Sequence, residues 1–129
     1  MLQAIGKNSW VNVSKDDLLN FPCKDLKTID TLWVKYSNGL FGFSVQKQIY
    51  VECGATLDGN YPGDKIWGEF CCRTGWRVKG EYISYSQVTF STSAPQGHLP
   101  CSKCFVCCGG GLLVLVGLDL FSRIQTCEV

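Results

Sequence analysis

At 129 residues the chain fits one domain, long enough to bury roughly two thirds of its unfolded surface. Lys+Arg 12 against Asp+Glu 11 leaves it close to neutral, and no block of five like charges occurs, so nothing points to a nucleic-acid partner. The nine cysteines are an odd number, include the adjacent pairs Cys71–Cys72 and Cys107–Cys108, and follow no secretory signal, which argues against a disulfide framework and for a reducing compartment.

The opening MLQAIGKNSW has no long apolar run, no Arg/Ser-rich transit stretch and no cleavage signature. Either the protein works where it is made or the chain starts after its targeting segment. From Phe21 to Gly39 the pattern is helical. Pro22 suits a first helical position, Asp25 adds negative charge to the first turn, and Leu26, Ile29, Trp33 and Tyr36 recur on one face. Asn38-Gly39 is a natural stop. A second helix is expected from Ser44, as N-cap, through Val45, Ile49 and Cys53 to Gly54. Between the two, Gly39-Leu40-Phe41-Gly42-Phe43 is too rich in glycine for a helix and too apolar for an ordinary loop, so it must pack against something.

Asp64 to Cys72 reads as a short helix with Ile66, Trp67 and Phe70 inward. After Gly75 the periodicity breaks down. Lys79-Gly80 suits a tight turn, and Tyr82, Tyr85, Val88 and Phe90 decorate an irregular stretch that runs to Pro95 and Pro100. A loop of that length is usually functional or disordered, and so many aromatics argue against disorder. Residues 101–129 differ in character from the preceding 1–100. A cysteine cluster and Gly109-Gly110-Gly111 lead into LLVLVGLDLFSRI, a helix from Leu112 to Gln125. At about 21 Å it is too short for a bilayer core of about 30 Å; it lies on a membrane or covers the domain's own cleft.

Ordinary enzyme chemistry is poorly supported. A single histidine, His98, excludes a metal site built from several imidazoles, and its place between Gly97 and Leu99 suits a residue that fixes a turn by hydrogen bonding. A Cys101–His98 or Ser–His pair stays open on spacing alone, without a nucleophile motif around it. No glycine-rich phosphate loop is present, since no Lys-Ser/Thr follows Gly109-Gly110-Gly111. The cluster Cys101, Cys104, Cys107 and Cys108 begins like an iron–sulfur run, but its fourth cysteine comes one position after the third with no proline behind it. Structural zinc normally draws on two separated pairs, so exposed, oxidation-sensitive thiols are the plainer reading.

Two blocks carry a family resemblance: FPCKDLKTIDTLWVKYSNGLFGFSVQKQIY, Phe21 to Tyr50, and GWRVKGEYISYSQVTFSTSAPQGHLP, Gly75 to Pro100. Together they resemble the porphyrin-binding regulator of magnesium chelatase known in words as genomes uncoupled four. The likeness covers roughly Ser9 to Pro100, and LFSRIQTCEV resembles the end of longer algal and plant members. It implies an all-α fold like a cupped hand, with an apolar palm and two finger loops that map onto Gly39–Phe43 and Gly80–Leu99. MLQAIGK resembles only the last turns of the family's leading core helix, so most of that helix is expected to be missing.

The resemblance further implies a non-enzymatic protein that binds protoporphyrin IX or Mg-protoporphyrin IX, with bilins as the alternative ligand. Its partner would be the large porphyrin-binding subunit of magnesium chelatase, whose activity it raises. The setting would be the chloroplast of an alga or plant, or the cytoplasm of a cyanobacterium. A porphyrin is a broad apolar disc with carboxylates at one edge, so it needs aromatic faces and cations at the rim. The candidate contacts are Phe41, Phe43, Tyr82, Tyr85, Phe90 and Leu99, with Arg73, Arg77, Lys79 and Lys35 as rim cations. Tyr85 is the counterpart of an aromatic important to the family, with Tyr82 a near rival, and Val13 falls near a family position at the cleft edge. A rival reading makes the chain a metal- or redox-responsive module acting through the cysteine cluster at 101–108.

Overall fold

The computed structural model describes residues 15–101 and 111–129, with the side chains of Lys15, Tyr85 and residues 111–117 outside that set. Its elements are α1 (Lys15–Leu19), α2 (Cys23–Tyr36), α3 (Phe43–Glu52), α4 (Asp64–Arg73), a ribbon of β1 (Arg77–Val78) and β2 (Glu81–Tyr82), a 3₁₀ turn at Tyr85–Gln87, and α5 (Gly111–Thr126). The fold is all-α apart from that two-stranded ribbon.

The helix expected from Phe21 to Gly39 forms as α2. The Pro22 carbonyl accepts its first bond from the Leu26 amide at 3.0 Å. The chain stops as Asn38 and Gly39 turn left-handed at φ 55° and 81°. Leu26 is buried, and Ile29 and Trp33 are half-buried, but Tyr36 is 77% exposed. At 100° per residue Tyr36 lies at the edge of the stripe centred on Leu26 and Trp33, so the helix delivers it to the surface rather than to the core.

The next helix starts one residue earlier than its expected cap. Gly42, at φ 141°, occupies the N-cap position of α3, not Ser44. A Cβ on Gly42 would lie 2.8 Å from both Asp30 Oδ1 and Val34 Cγ2, so glycine lets α3 begin tight against α2. Asp30 supplies what the missing cap side chain does not: its Oδ1 accepts from the Ser44 amide at 2.8 Å and from the Ser44 hydroxyl at 3.1 Å.

At the centre lies a cluster of rings. Tyr50 of α3 stacks on Phe121 of α5, with centroids 4.6 Å apart and planes 4° off parallel. Phe70 of α4 meets Tyr50, Phe121 and Trp76 edge-on at 5.2, 5.6 and 5.4 Å. Such pairs add about 0.5–1.5 kcal/mol each beyond the area they bury. The C-terminal half of α5 therefore belongs to the core: Leu118, Leu120, Phe121 and Ile124 are buried, and α5 packs on α1 and α3. Arg123 Nε donates to the Phe21 carbonyl at 2.8 Å, and Lys47 Nζ to the Val129 carbonyl at 2.8 Å.

Among the described residues one disulfide forms where the cysteine pattern argued for free thiols. Cys23, at the start of α2, is bonded to Cys127, just past α5, across a separation of 104 residues. Docking of α5 brings the two ends together, and sequence spacing carries no trace of that. Cys53, Cys71 and Cys72 are free thiols. Among the described residues no helix is long and apolar enough to cross a membrane, and no group of three metal-ligating side chains occurs. Cys104, Cys107 and Cys108 lie outside the described residues, as does Val13.

Candidate functional site: an apolar cleft between two loops

The stretch after Gly75 is ordered by buried hydrogen bonds rather than by periodicity. Lys79 and Gly80, at φ 53° and 82°, make the tight turn of the β1–β2 hairpin. Trp76 is buried and donates its Nε1–H to the His98 carbonyl at 3.0 Å. The His98 ring lies 2.7 Å through Nδ1 from the Thr74 carbonyl and 3.1 Å through Nε2 from the Thr89 amide. A carbonyl only accepts and an amide only donates, so the ring is neutral with its proton on Nδ1. His98 thus ties the far end of the loop to the end of α4, an extended form of the turn-fixing role expected from its neighbours.

The two loops are joined by main-chain bonds. The Gly42 amide donates to the Leu99 carbonyl at 3.0 Å, and the Gly97 amide to the Leu40 carbonyl at 2.9 Å. Gln46, buried on α3, braces the same junction, its Nε2 donating to the carbonyls of Gly97 at 2.9 Å and Pro100 at 3.0 Å. Gly97 is left-handed at φ 77°, and a Cβ there would lie 2.7 Å from Ile49 Cδ1. Only glycine lets the second loop approach α3 so closely.

Above this junction opens a cleft of about 200 Å³ lined by Trp33, Tyr36, Ser37, Phe41, Phe90, Ser91, Thr92 and Leu99. Trp33 meets Phe41 edge-on, centroids 6.2 Å apart. Ser37 holds the first loop beneath α2: its hydroxyl donates to the Trp33 carbonyl at 2.6 Å and accepts from the Phe41 amide at 2.8 Å. Phe41 and Leu99 form buried walls, while Tyr36 and Phe90, the latter 62% exposed, stand at the mouth. Among the described residues that line it there is no carboxylate, imidazole or thiol. It is suited to holding an apolar face and offers no acid–base pair.

Of the residues singled out in the sequence, Phe41, Phe90 and Leu99 meet at this cleft. Phe43 does not line it; at 1% exposure it is part of the core as the first residue of α3. Tyr82 lies on the hairpin, its ring 5.6 Å from the Arg77 guanidinium carbon, and burial raises its phenol above the ordinary range. Arg77 itself lies against Gly68 of α4, its Nη1 2.7 Å from where a Cβ would be. Arg73 is paired with Glu52 at 2.7 Å, and Lys79 occupies the hairpin turn. None of these three cations lines the cleft. Tyr85 opens the 3₁₀ turn; its side chain is outside the described set. Sequence reasoning missed Trp33 and Tyr36 as cleft residues. The available signal was their place in WVKYS, the last turn of α2 directly before the first loop.

The free cysteines are not equivalent. Burial pushes the Cys71 thiol up to about 12, helped by neighbouring Cys72 and opposed by Arg77, which leaves it inert as a nucleophile.

A family model described as GUN4-like matches residues 1–108. The chain belongs to the GUN4-like family. The "Uncharacterized protein ycf53" of Pyropia yezoensis is 36% identical over 105 residues, covering 78% of this chain and 39% of that protein. The "Tetrapyrrole-binding protein, chloroplastic" of Arabidopsis thaliana is 30% identical over 87 residues, covering 60% of this chain and 29% of the relative. The chain thus spans well under half the length of these curated relatives. The ligand-free structure of Arabidopsis thaliana GUN4 superposes with a TM-score of 0.63 at 23% identity, over 92% of this chain and 74% of that one. That likeness supports the GUN4 fold.

Proposed function

We propose that this GUN4-like chain is a non-catalytic tetrapyrrole-binding regulator. It would hold protoporphyrin IX or Mg-protoporphyrin IX and raise magnesium chelatase activity through the enzyme's large porphyrin-binding subunit. The setting would be chlorophyll synthesis in a plastid or in a cyanobacterial cytoplasm. The observation that carries this reading is the cleft, an apolar depression with aromatic walls at Trp33 and Phe41 and aromatic side chains standing at its mouth, Tyr36 and Phe90. Family membership and the printed name of the Arabidopsis relative add support.

Size decides how such a ligand is held. The cleft, at about 200 Å³, is smaller than sites that bury a drug-sized ligand, roughly 300–1,000 Å³. A tetrapyrrole disc would rest across the mouth with one edge inserted, sandwiched by Tyr36 and Phe90. The outer edge stays open, which suits hand-over to a partner rather than chemistry in place.

The test is titration of the purified chain with Mg-protoporphyrin IX, followed by the ligand's absorbance and by quenching of the tryptophans, with Phe90→Ala and Tyr85→Ala alongside. Saturable binding is expected. Phe90→Ala should weaken it several-fold, about 0.5–1.5 kcal/mol for a lost ring contact, without loss of folding because Phe90 is exposed. A folded wild-type chain that binds no tetrapyrrole would sink the reading. Binding without any rise in chelatase turnover on adding the loaded chain would sink its regulatory half.

A further inference from the structure

The cations Arg73, Arg77 and Lys79 all lie away from the cleft, but they are not alike. Arg73 is satisfied by Glu52, and Lys79 occupies a turn. The guanidinium of Arg77 is instead held in place with nothing to receive it. Arg77 is paired with Tyr82 across the β1–β2 ribbon, so the two side chains share one face, the Tyr82 ring 5.6 Å from the guanidinium carbon. On its other side the guanidinium rests on α4 at Gly68, where a Cβ would stand 2.7 Å from Nη1. Glycine is a poor helix former, and inside α4 its missing side chain is what admits the guanidinium.

Among the described residues no carboxylate lies within ion-pair distance of Arg77, and its Nε is buried without an acceptor. Asp64, one turn before Gly68 on α4, accepts from the Tyr61 hydroxyl at 2.6 Å. A guanidinium presents its donors in a rigid fork that matches a carboxylate, and a buried donor left unpaired is costly. An anion from outside the chain would supply what the chain itself does not. The surroundings favour one carried by a protein. Tyr82 and Tyr61 are 39% and 45% exposed beside the guanidinium, and a small inorganic anion would leave both rings in water. Arginine and tyrosine are also the residue types that dominate binding energy at protein interfaces.

We propose that Arg77, seated on Gly68 and framed by Tyr82 and Tyr61, is the anchor by which this chain docks a protein partner, through a carboxylate side chain of that partner. The proposal rests on the regulatory reading above, in which the partner is the large chelatase subunit. Tyr61, Gly68, Arg77 and Tyr82 are all absent from the lining of the cleft, so ligand and partner are held by separate residues. The ribbon leads through the 3₁₀ turn to Phe90 at the cleft mouth, so anchor and ligand contact belong to one continuous loop.

The experiment measures binding of the purified large chelatase subunit to the immobilised chain by surface plasmon resonance, at low and at high salt. Wild type is compared with Arg77→Gln, Arg77→Lys and Gly68→Ala, and with Lys79→Gln as a control for charge on the same hairpin. Gly68→Ala keeps every charge and favours the helix, while its Cβ pushes the guanidinium off its seat. Arg77→Gln should weaken binding about tenfold or more at low salt, Gly68→Ala should weaken it several-fold, and Arg77→Lys should recover part of the loss. Lys79→Gln should stay within about twofold of wild type. The advantage of wild type over Arg77→Gln should shrink at high salt. Titration of the same variants with Mg-protoporphyrin IX should match wild type. Full subunit binding by both Arg77→Gln and Gly68→Ala would overturn the docking assignment alone. Loss of Mg-protoporphyrin IX binding in those variants would overturn it too, by giving Arg77 to the ligand. If the folded wild type does not bind the subunit at all, the regulatory reading fails and the docking assignment falls with it.

Discussion

His98 shows how a single side chain organises a segment without regular structure. Its ring accepts from one backbone group and donates to another, 15 residues apart in sequence at Thr74 and Thr89, and its carbonyl receives Trp76. His98→Ala leaves a buried carbonyl and an amide without partners. It should cost about 2–4 kcal/mol in urea unfolding, with loss of amide-exchange protection centred on Thr89. The Glu52–Arg73 pair acts on the surface and in a different way. The Arg73 hydrogen bond, followed by that of Gln48, holds the Glu52 carboxyl below its ordinary range. A depressed carboxylate contributes stability above its unfolded-state value and loses it as pH falls through the folded one. Thermal melts of wild type and Glu52→Gln should therefore differ at neutral pH and converge on acidification to about pH 2–3.

At the scale of elements, the boundary between α2 and α3 governs the cleft. Phe41 and Phe43 are two residues apart, yet Phe41 lines the cleft and Phe43 lies in the core, because α3 begins between them at Gly42. The start of α3 is held by a side chain from α2 rather than by a cap of its own. Asp30→Ala removes that acceptor. It should lower stability by about 1 kcal/mol, read as a shift in the thermal midpoint, and should loosen the Gly39–Gly42 loop that carries Phe41. A midpoint equal to wild type would mean that Ser44 finds another acceptor and that Asp30 is not the cap.

For the molecule as a whole, α5 and its disulfide decide whether the chain holds together. The helix covers Tyr50 and Phe70 with Phe121, and Cys127 closes a loop of 104 residues back to Cys23. The chain-entropy account assigns a cross-link of that span about 4–5 kcal/mol. Reduction by dithiothreitol, or Cys23→Ser, should lower the unfolding free energy by that order, and mass mapping of the oxidised chain should recover Cys23 and Cys127 in one linked peptide pair. Unchanged stability on reduction would show that ring packing alone secures α5.

Much of the architecture was legible in the residues. Period 3.6 located α2, α3 and α4, the apolar run after Gly109-Gly110-Gly111 marked α5, Asn38-Gly39 marked the end of α2, and Lys79-Gly80 marked a turn, because these depend on neighbours within a few positions. Local order also explains why Phe41, Phe90 and Leu99 could be singled out, as apolar side chains in segments with no helical face to bury them. What only the tertiary structure decided depends on residues far apart in the chain. It put Phe43 in the core and Tyr36 at the surface, gave Arg73 to Glu52, and joined Cys23 to Cys127. Periodicity states which face of a helix prefers burial, but whether an edge residue is covered depends on what packs there. For this chain that was settled by two loops bonded main chain to main chain and by a C-terminal helix closing the core from the opposite end of the sequence.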